Sequence, residues 1–183
     1  VVHTGGVPCD SFSVTFFYDA SMAEPLHLAA GFTALENGEV MLRGIVDEYT
    51  VDLGTSGLTA TVCGRGYAAR LLDNEALGQD YQVATLADIL RDHVSPYGIT
   101  VASQAYMAPV SQFSVAVGSS EWSVLYDFVR YYHSISPRFD WEGRLVLTPW
   151  EDNTRLLLDD ATPVTKLVCR DKRYGVLSQV VVR

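Results

Sequence analysis

Carboxylates stand close together at four places in this chain: Asp47-Glu48, Asp140 with Glu142, Glu151-Asp152 and Asp159-Asp160. Two carboxyl groups flanking one glycosidic bond can hydrolyse it, one as acid and the other as base or nucleophile. These pairs are therefore the first candidates for chemistry. Their surroundings argue against it. Successive residues of a strand point to opposite faces, so Asp47 and Glu48 cannot flank one bond. Asp140 and Glu142 fall in the turn Asp140-Trp141-Glu142-Gly143. A hydrolase also needs a cleft, and this chain has few long connecting loops from which to build one.

The other chemically capable residues are scattered. His3, His27, His93 and His133 include no His-x-x-x-His spacing that would put two ligands on one helical face. No Gly-x-Ser-x-Gly elbow presents a serine nucleophile. Cys63-Gly64-Arg65-Gly66 offers a thiol with no indicated base. As a phosphate loop the same four residues lack the third glycine, the lysine and the Ser/Thr, so they read as a strand-ending turn. The expectation is that catalytic, cofactor-binding and metal-binding residues are all absent, and with them any cofactor. Trp122, Tyr126, Tyr131 and Tyr132 crowd one helix. Aromatics all round a helix call for burial on two sides, here against the chain's own sheet and a neighbouring subunit.

Twenty-two acids against thirteen bases give a net charge of -9 over 183 residues, the wrong sign for gripping phosphates. With 48% hydrophobic residues the chain can bury a real core. No apolar run approaches the roughly 18 residues of a membrane span, and no basic-then-apolar segment opens the chain as a signal peptide would. No membrane association is expected. Cys9, Cys63 and Cys169 are odd in number and far apart, which fits free thiols in a reducing cytosol.

The positioning elements follow from periodicity. Residues 11–16 alternate polar and apolar, placing Phe12, Val14 and Phe16 on one strand face. Residues 20–38 read as a connection ending in an Asn37-Gly38 turn. A long strand from Val40 to Leu53, bent near Gly44, should then pair with Thr59 to Cys63 through a turn at Gly54 to Gly57. A helical turn follows around 67–73. Thr85 with Asp88 caps a helix carrying Leu86, Ile89, Leu90 and Val94, which Pro96 stops before a strand at Ile99-Thr100-Val101. Ser119 or Ser120 caps a second helix, from Glu121 to Tyr132. Pro137 ends it before a hairpin of Arg138-Phe139-Asp140 with Arg144-Leu145-Val146-Leu147. Val94-Ser95-Pro96 and Ile135-Ser136-Pro137 each follow a helix and precede a strand, which reads as a pair of helix-strand repeats. Strand-like runs return at 154–158, 164–169 and 176–182. The order is α+β.

Four stretches carry a family resemblance: Pro8-Cys9-Asp10-Ser11-Phe12-Ser13-Val14, Gly38-Glu39-Val40-Met41-Leu42-Arg43-Gly44-Ile45-Val46-Asp47-Glu48, Thr61-Val62-Cys63-Gly64-Arg65 and Leu71-Leu72-Asp73-Asn74. Together they resemble the baseplate hub proteins of contractile phage tails and, more distantly, the N-terminal part of type VI secretion spike proteins. The resemblance implies an antiparallel β-barrel of tail-tube type, followed by two helix-strand units and a second barrel. The implied divisions are a first barrel portion over 1–80, a helix-strand domain over 81–150 and strands of an incomplete second barrel over 151–183. It also implies a homotrimeric ring joining tail tube to spike in the virion, assembled in the bacterial cytoplasm, with DNA passing through unbound. The chain opens Val1-Val2-His3 without methionine, and a hub with further strands outside this sequence is expected. The competing readings are a carbohydrate- or protein-binding β module and a cell-wall hydrolase.

Overall fold

The computed structural model describes residues 8–55 and 57–150. The expected strands at 154–158, 164–169 and 176–182, and Cys169, lie outside the described residues. Four strands, β1 (Ser11–Phe17), β2 (Gly31–Glu36), β3 (Glu39–Gly54) and β4 (Gly57–Gly66), form one antiparallel sheet in the order β1-β4-β3-β2. A short helix, α1 (Ala23–Leu28), lies between β1 and β2. The expected hairpin is present: β3 pairs with β4 along its length, Leu53 opposite Leu58 and Gly54 opposite Gly57. The stretch read as a mere connection contains the extra strand β2, joined to β3 by Asn37 and Gly38, whose φ values of 51° and 87° make the two-residue turn that Asn-Gly favours. A bulge between Val46 and Glu48 leaves Asp47 as the extra residue.

Residues opposite one another in the ladder share a face, which makes this sheet one-sided. Val14 sits opposite Val62 and Phe16 opposite Ala60, and across the next ladder Tyr49, Val51 and Leu53 face Val62, Ala60 and Leu58. On that face Phe12, Leu42 and Val62 are buried, with Phe16, Leu26, Phe32, Ala34 and Val46 packed against them. Phe12 and Phe32 come from the two outer strands, yet their rings stack 3.7 Å apart at 9°. They meet because the central strands carry glycine beneath them: Gly64 opposite Phe12 and Gly44 opposite Phe32. A Cβ on Gly64 would strike the Ile45 carbonyl and the Phe12 ring, and one on Gly44 would strike the Arg65 carbonyl. The sheet curls around these two positions.

The second part begins with α2 (Ala69–Leu72) and continues through β5 (Gln79–Ala84), α3 (Leu86–His93), β6 (Val101–Gln104), β7 (Val110–Val115), α4 (Glu121–Tyr126), β8 (Arg138–Phe139) and β9 (Leu145–Leu147). β5 pairs antiparallel with β7. β6, β9 and β8 form a separate mixed sheet in that order. Thr85 and Asp88 make the expected reciprocal cap of α3, and Ser120 accepts the Ser123 N–H at the start of α4. Both helices lead into strands of the three-stranded sheet. The sequence reading missed β5 and β7, whose short runs mix Gln and Ser with single apolar residues. A second core, in which Leu71, Ile89, Leu125, Phe128, Leu145 and Leu147 are fully buried, fills this part. The backbone N–H of Arg43 donates to the Trp141 carbonyl at 3.2 Å and ties the sheet to the β8–β9 turn.

Gly64→Ala should therefore cost about 1–3 kcal/mol through overpacking. Gly54→Ala, where nothing lies within 4 Å, should be nearly neutral. Urea denaturation of the two variants beside the parent chain measures the difference.

Candidate interaction surface

The structure gives each sequence candidate a place. Asp47, in the bulge, accepts two hydrogen bonds from Arg65, at 2.7 Å from Nε and 3.0 Å from Nη2. Asp73 accepts two more from the same guanidinium, at 3.1 Å and 2.7 Å. Arg65 thus holds the sheet to the residue that follows α2. The Arg65 hydrogen bonds keep the Asp73 carboxyl below the usual carboxylate range. Asp140 is a turn clamp: its Oδ1 accepts the backbone N–H of Glu142 at 3.0 Å and of Arg144 at 2.8 Å. Its Oδ2 accepts Arg144 Nε at 2.8 Å. Asp140 and Glu142 share an open groove with Glu36 and Glu39 from the β2–β3 turn. Two turns far apart in sequence are thus brought together. Among the described residues no three His, Cys, Asp or Glu side chains are grouped to hold a metal. Glu151-Asp152, Asp159-Asp160 and His3 lie outside the described residues.

Of the histidines, His27 ends α1 and His133 packs against the Phe128 ring at 5.1 Å, whereas His93 is 3% exposed and lies in a polar network. His93 Nδ1 lies 2.6 Å from Glu121 Oε2, and Tyr97 Oη donates to Glu121 Oε1 at 2.8 Å. Tyr81 Oη donates to Asp92 at 2.9 Å and lies 3.1 Å from His93 Nε2. With its own hydrogen given to Asp92, the Tyr81 oxygen accepts from Nε2–H. Nδ1 is thereby directed at Glu121 Oε2. Burial, reinforced by the neighbouring Asp92, pushes the Tyr81 phenol up. The network sits in the larger core and joins β5, α3, the turn after α3 and α4. Its hydrogen bonds fasten these four elements together. The sequence reading named Glu121 only as the first residue of the second helix. The available signal was its place on the apolar face of α4 beside Trp122, Val124 and Leu125.

Cys63-Gly64-Arg65-Gly66 is the end of β4, not a turn. Its glycines serve the curl and its arginine the ion pairs. Cys9 and Cys63 are free thiols, and burial pushes the Cys9 thiol up.

The unsatisfied surface is apolar. Past Ile45 no strand flanks β3 on the side away from β4 among the described residues, and in the β3–β4 hairpin Val51 is 40% and Leu53 82% exposed. The outer edge of β1 is also unpaired among the described residues. The aromatic helix buries Trp122 and Phe128 but leaves Tyr126, Tyr131 and Tyr132 outside. Among the described residues, then, only one side of this helix is covered. α4 continues as a π-helical turn over Asp127–Tyr131, and this widened turn turns Tyr131 outward to 79% exposure. Single π turns of this kind are frequent at functional sites.

Residues 68–149 match the family model described as baseplate hub protein gp44-like, second domain. The resemblance to hub proteins is thereby borne out over the part that holds the larger core. The fold is similar to that of the tail protein from Neisseria meningitidis MC58, with a TM-score of 0.67 and 16% identity over 82% of this chain and 45% of that one. It is also similar to the prophage MuSo2 43 kDa tail protein from Shewanella oneidensis, with a TM-score of 0.60 and 22% identity over 78% of this chain and 46% of that one. The matched part of this chain thus spans less than half the length of each. The likeness shows a mixed α+β fold with a curled antiparallel sheet. No curated protein sequence is significantly similar to the chain. No helix among the described residues is long and apolar enough to cross a membrane.

Three outcomes follow from the ionic and polar contacts. Glu121→Ala leaves His93 and Tyr97 buried without their acceptor and should cost about 3–5 kcal/mol. Exposed Glu142→Ala should stay within about 0.5 kcal/mol, both read by chemical denaturation. The Asp73 carboxyl is depressed in the folded state, so its contribution is full above the unfolded pKa of about 3.9 and is lost as pH falls through and below it. Arg65→Met should lower the melting temperature at pH 7 and leave less to lose between about pH 5 and 3. Melting curves across that range test this.

Proposed function

We propose that this chain is a structural, non-enzymatic part of a phage-type tail baseplate hub, in which three copies form a ring joining tail tube to spike. The observation that carries the reading is the match of residues 68–149 to a hub domain, over the same stretch that builds the larger core. A curled, one-sided antiparallel sheet ahead of it supports a tube-like barrel in the first portion, completed by strands beyond those described. In this reading the chain is divided as 1–80, 81–150 and 151–183, the last contributing to a second barrel. It works in the virion tail after assembly in the bacterial cytoplasm, against tube and spike proteins. The net charge of -9 suits a channel through which DNA slides, because a wall of like charge does not trap phosphates.

Catalysis has no place in this reading. Arg144 and turn N–H groups engage Asp140, Arg65 engages Asp47, and the His93 network lies in the larger core. Light scattering on the chain should give the mass of three copies, duplex DNA should not be retained at physiological salt, and peptidoglycan should remain intact. A monomer at all concentrations would overturn the ring. Peptidoglycan clearing lost in Asp140→Asn or Glu142→Gln would overturn the non-enzymatic assignment.

A further inference from the structure

The β2–β3 and β8–β9 turns enclose an open groove of about 790 Å³, whose lining includes Glu36, Glu39, Asp140, Trp141, Glu142 and Arg144. One water needs only about 10–15 Å³ of such space, so the groove has room for several side chains at once. The Arg43 N–H bond to the Trp141 carbonyl holds its two walls together. Charge inside it is unbalanced. Arg144 is held by Asp140 at 2.8 Å and by Glu142 at 3.3 Å. Glu36 and Glu39, both exposed, have no cation beside them among the described residues. Trp141 is 47% exposed, and an indole is the ring on which a lysine or arginine rests best. A preformed groove with two unanswered carboxylates and a tryptophan fits a cationic segment of chain.

The described part has few cations to spare. It holds seventeen acids, seven arginines and no lysine. Arg65, Arg91 and Arg144 are each taken by two carboxylates. Arg70, Arg130 and Arg138 donate to backbone carbonyls. The complementary charge lies further along the sequence, where Lys166, Arg170, Lys172 and Arg173 fall close together against the single acid Asp171.

Resting on the ring reading above, we propose that this groove receives the basic run 166–173 of a second copy. Copies of net charge -9 repel one another. They dock where facing patches carry opposite signs, because like charges set face to face oppose the contact. Groove and run are two such patches, and each copy carries both. The contact joins two different surfaces, so it is head-to-tail and closes into a ring when the rotation permits. In it the lysine and arginine side chains enter between the two turns, pair with Glu36 and Glu39, and lie against Trp141.

Charge reversal in the full chain tests the contact. One variant carries Glu36→Lys with Glu39→Lys, the other Lys172→Glu with Arg173→Glu. Light scattering reads the mass, and far-ultraviolet spectra check that each variant keeps its fold. Should the reversed run unfold the chain, Lys172→Gln with Arg173→Gln takes its place. Each variant alone should lose the three-copy mass of the parent. The chain with all four changes should regain it, since the signs are again opposite. A mixture of the two variants should associate as well: the run of the first fits the groove of the second, and the run of the second fits the groove of the first. Three-copy mass kept by either reversed variant overturns the contact and leaves the ring standing. A loss that neither the four-change chain nor the mixture repairs overturns the pairing. Recovery in the four-change chain while the mixture stays monomeric assigns the run to its own chain, against a second copy. A parent that is monomeric under all conditions removes ring and contact together.

Discussion

The stacking of Phe12 on Phe32 is the contact on which the sheet's shape depends. A flat four-stranded sheet keeps its outer strands three spacings apart, about 14 Å, and their side chains cannot meet. Here the rings touch because Gly44 and Gly64 carry nothing to hold them up and the sheet bends over the gap. Glycine normally weakens a strand interior. In this sheet the loss is offset by an aromatic pair that closes over the bare backbone, and Leu42, Val62 and Phe16 then pack beside it. The curl decides which residues are core and which remain open: near the glycines the apolar face is closed, and along the β3–β4 hairpin the same face stays exposed.

The sequence made this hairpin legible because both of its signals are local. Strand alternation and a Gly-bounded turn need only neighbours along the chain, and so do the Thr85–Asp88 cap and the β8–β9 turn. What escaped depends on distant partners. β2 looks like a loop until β3 offers it a ladder, and β5 and β7 stabilise each other across some thirty intervening positions. The bulge at Asp47 is set by Arg65, opposite Ile45 on another strand. The aromatic helix adds a local feature that composition does not show: a π turn at Asp127–Tyr131 breaks the helical period on which reasoning about its faces rests.

The polar network is the clearest case of a feature visible only in three dimensions. Tyr81, Asp92, His93, Tyr97 and Glu121 are unremarkable singly, and a histidine near a helix end is ordinary. Folded together, they satisfy one another inside an apolar core, where a missing partner is costly and a complete set specifies one arrangement. The network holds α3 against α4 more selectively than Ile89 and Leu125 could alone, since apolar contacts tolerate sliding and a chain of directed hydrogen bonds does not.

Arg65 gives the joint between the two cores a property of its own. Its guanidinium holds Asp47 on the sheet and Asp73 beyond α2, with 36% of its side chain exposed, and the chain between the cores passes through only a few residues near Tyr67. The clamp works beside the Arg43 N–H to Trp141 carbonyl bond, which joins the same two parts. Because both arms are in reach of solvent, dissolved ions weaken them over a Debye length of about 8 Å at physiological strength. The strength of this clamp is thus set partly by the medium: its two ion pairs are firmer in dilute solution and weaker in brine.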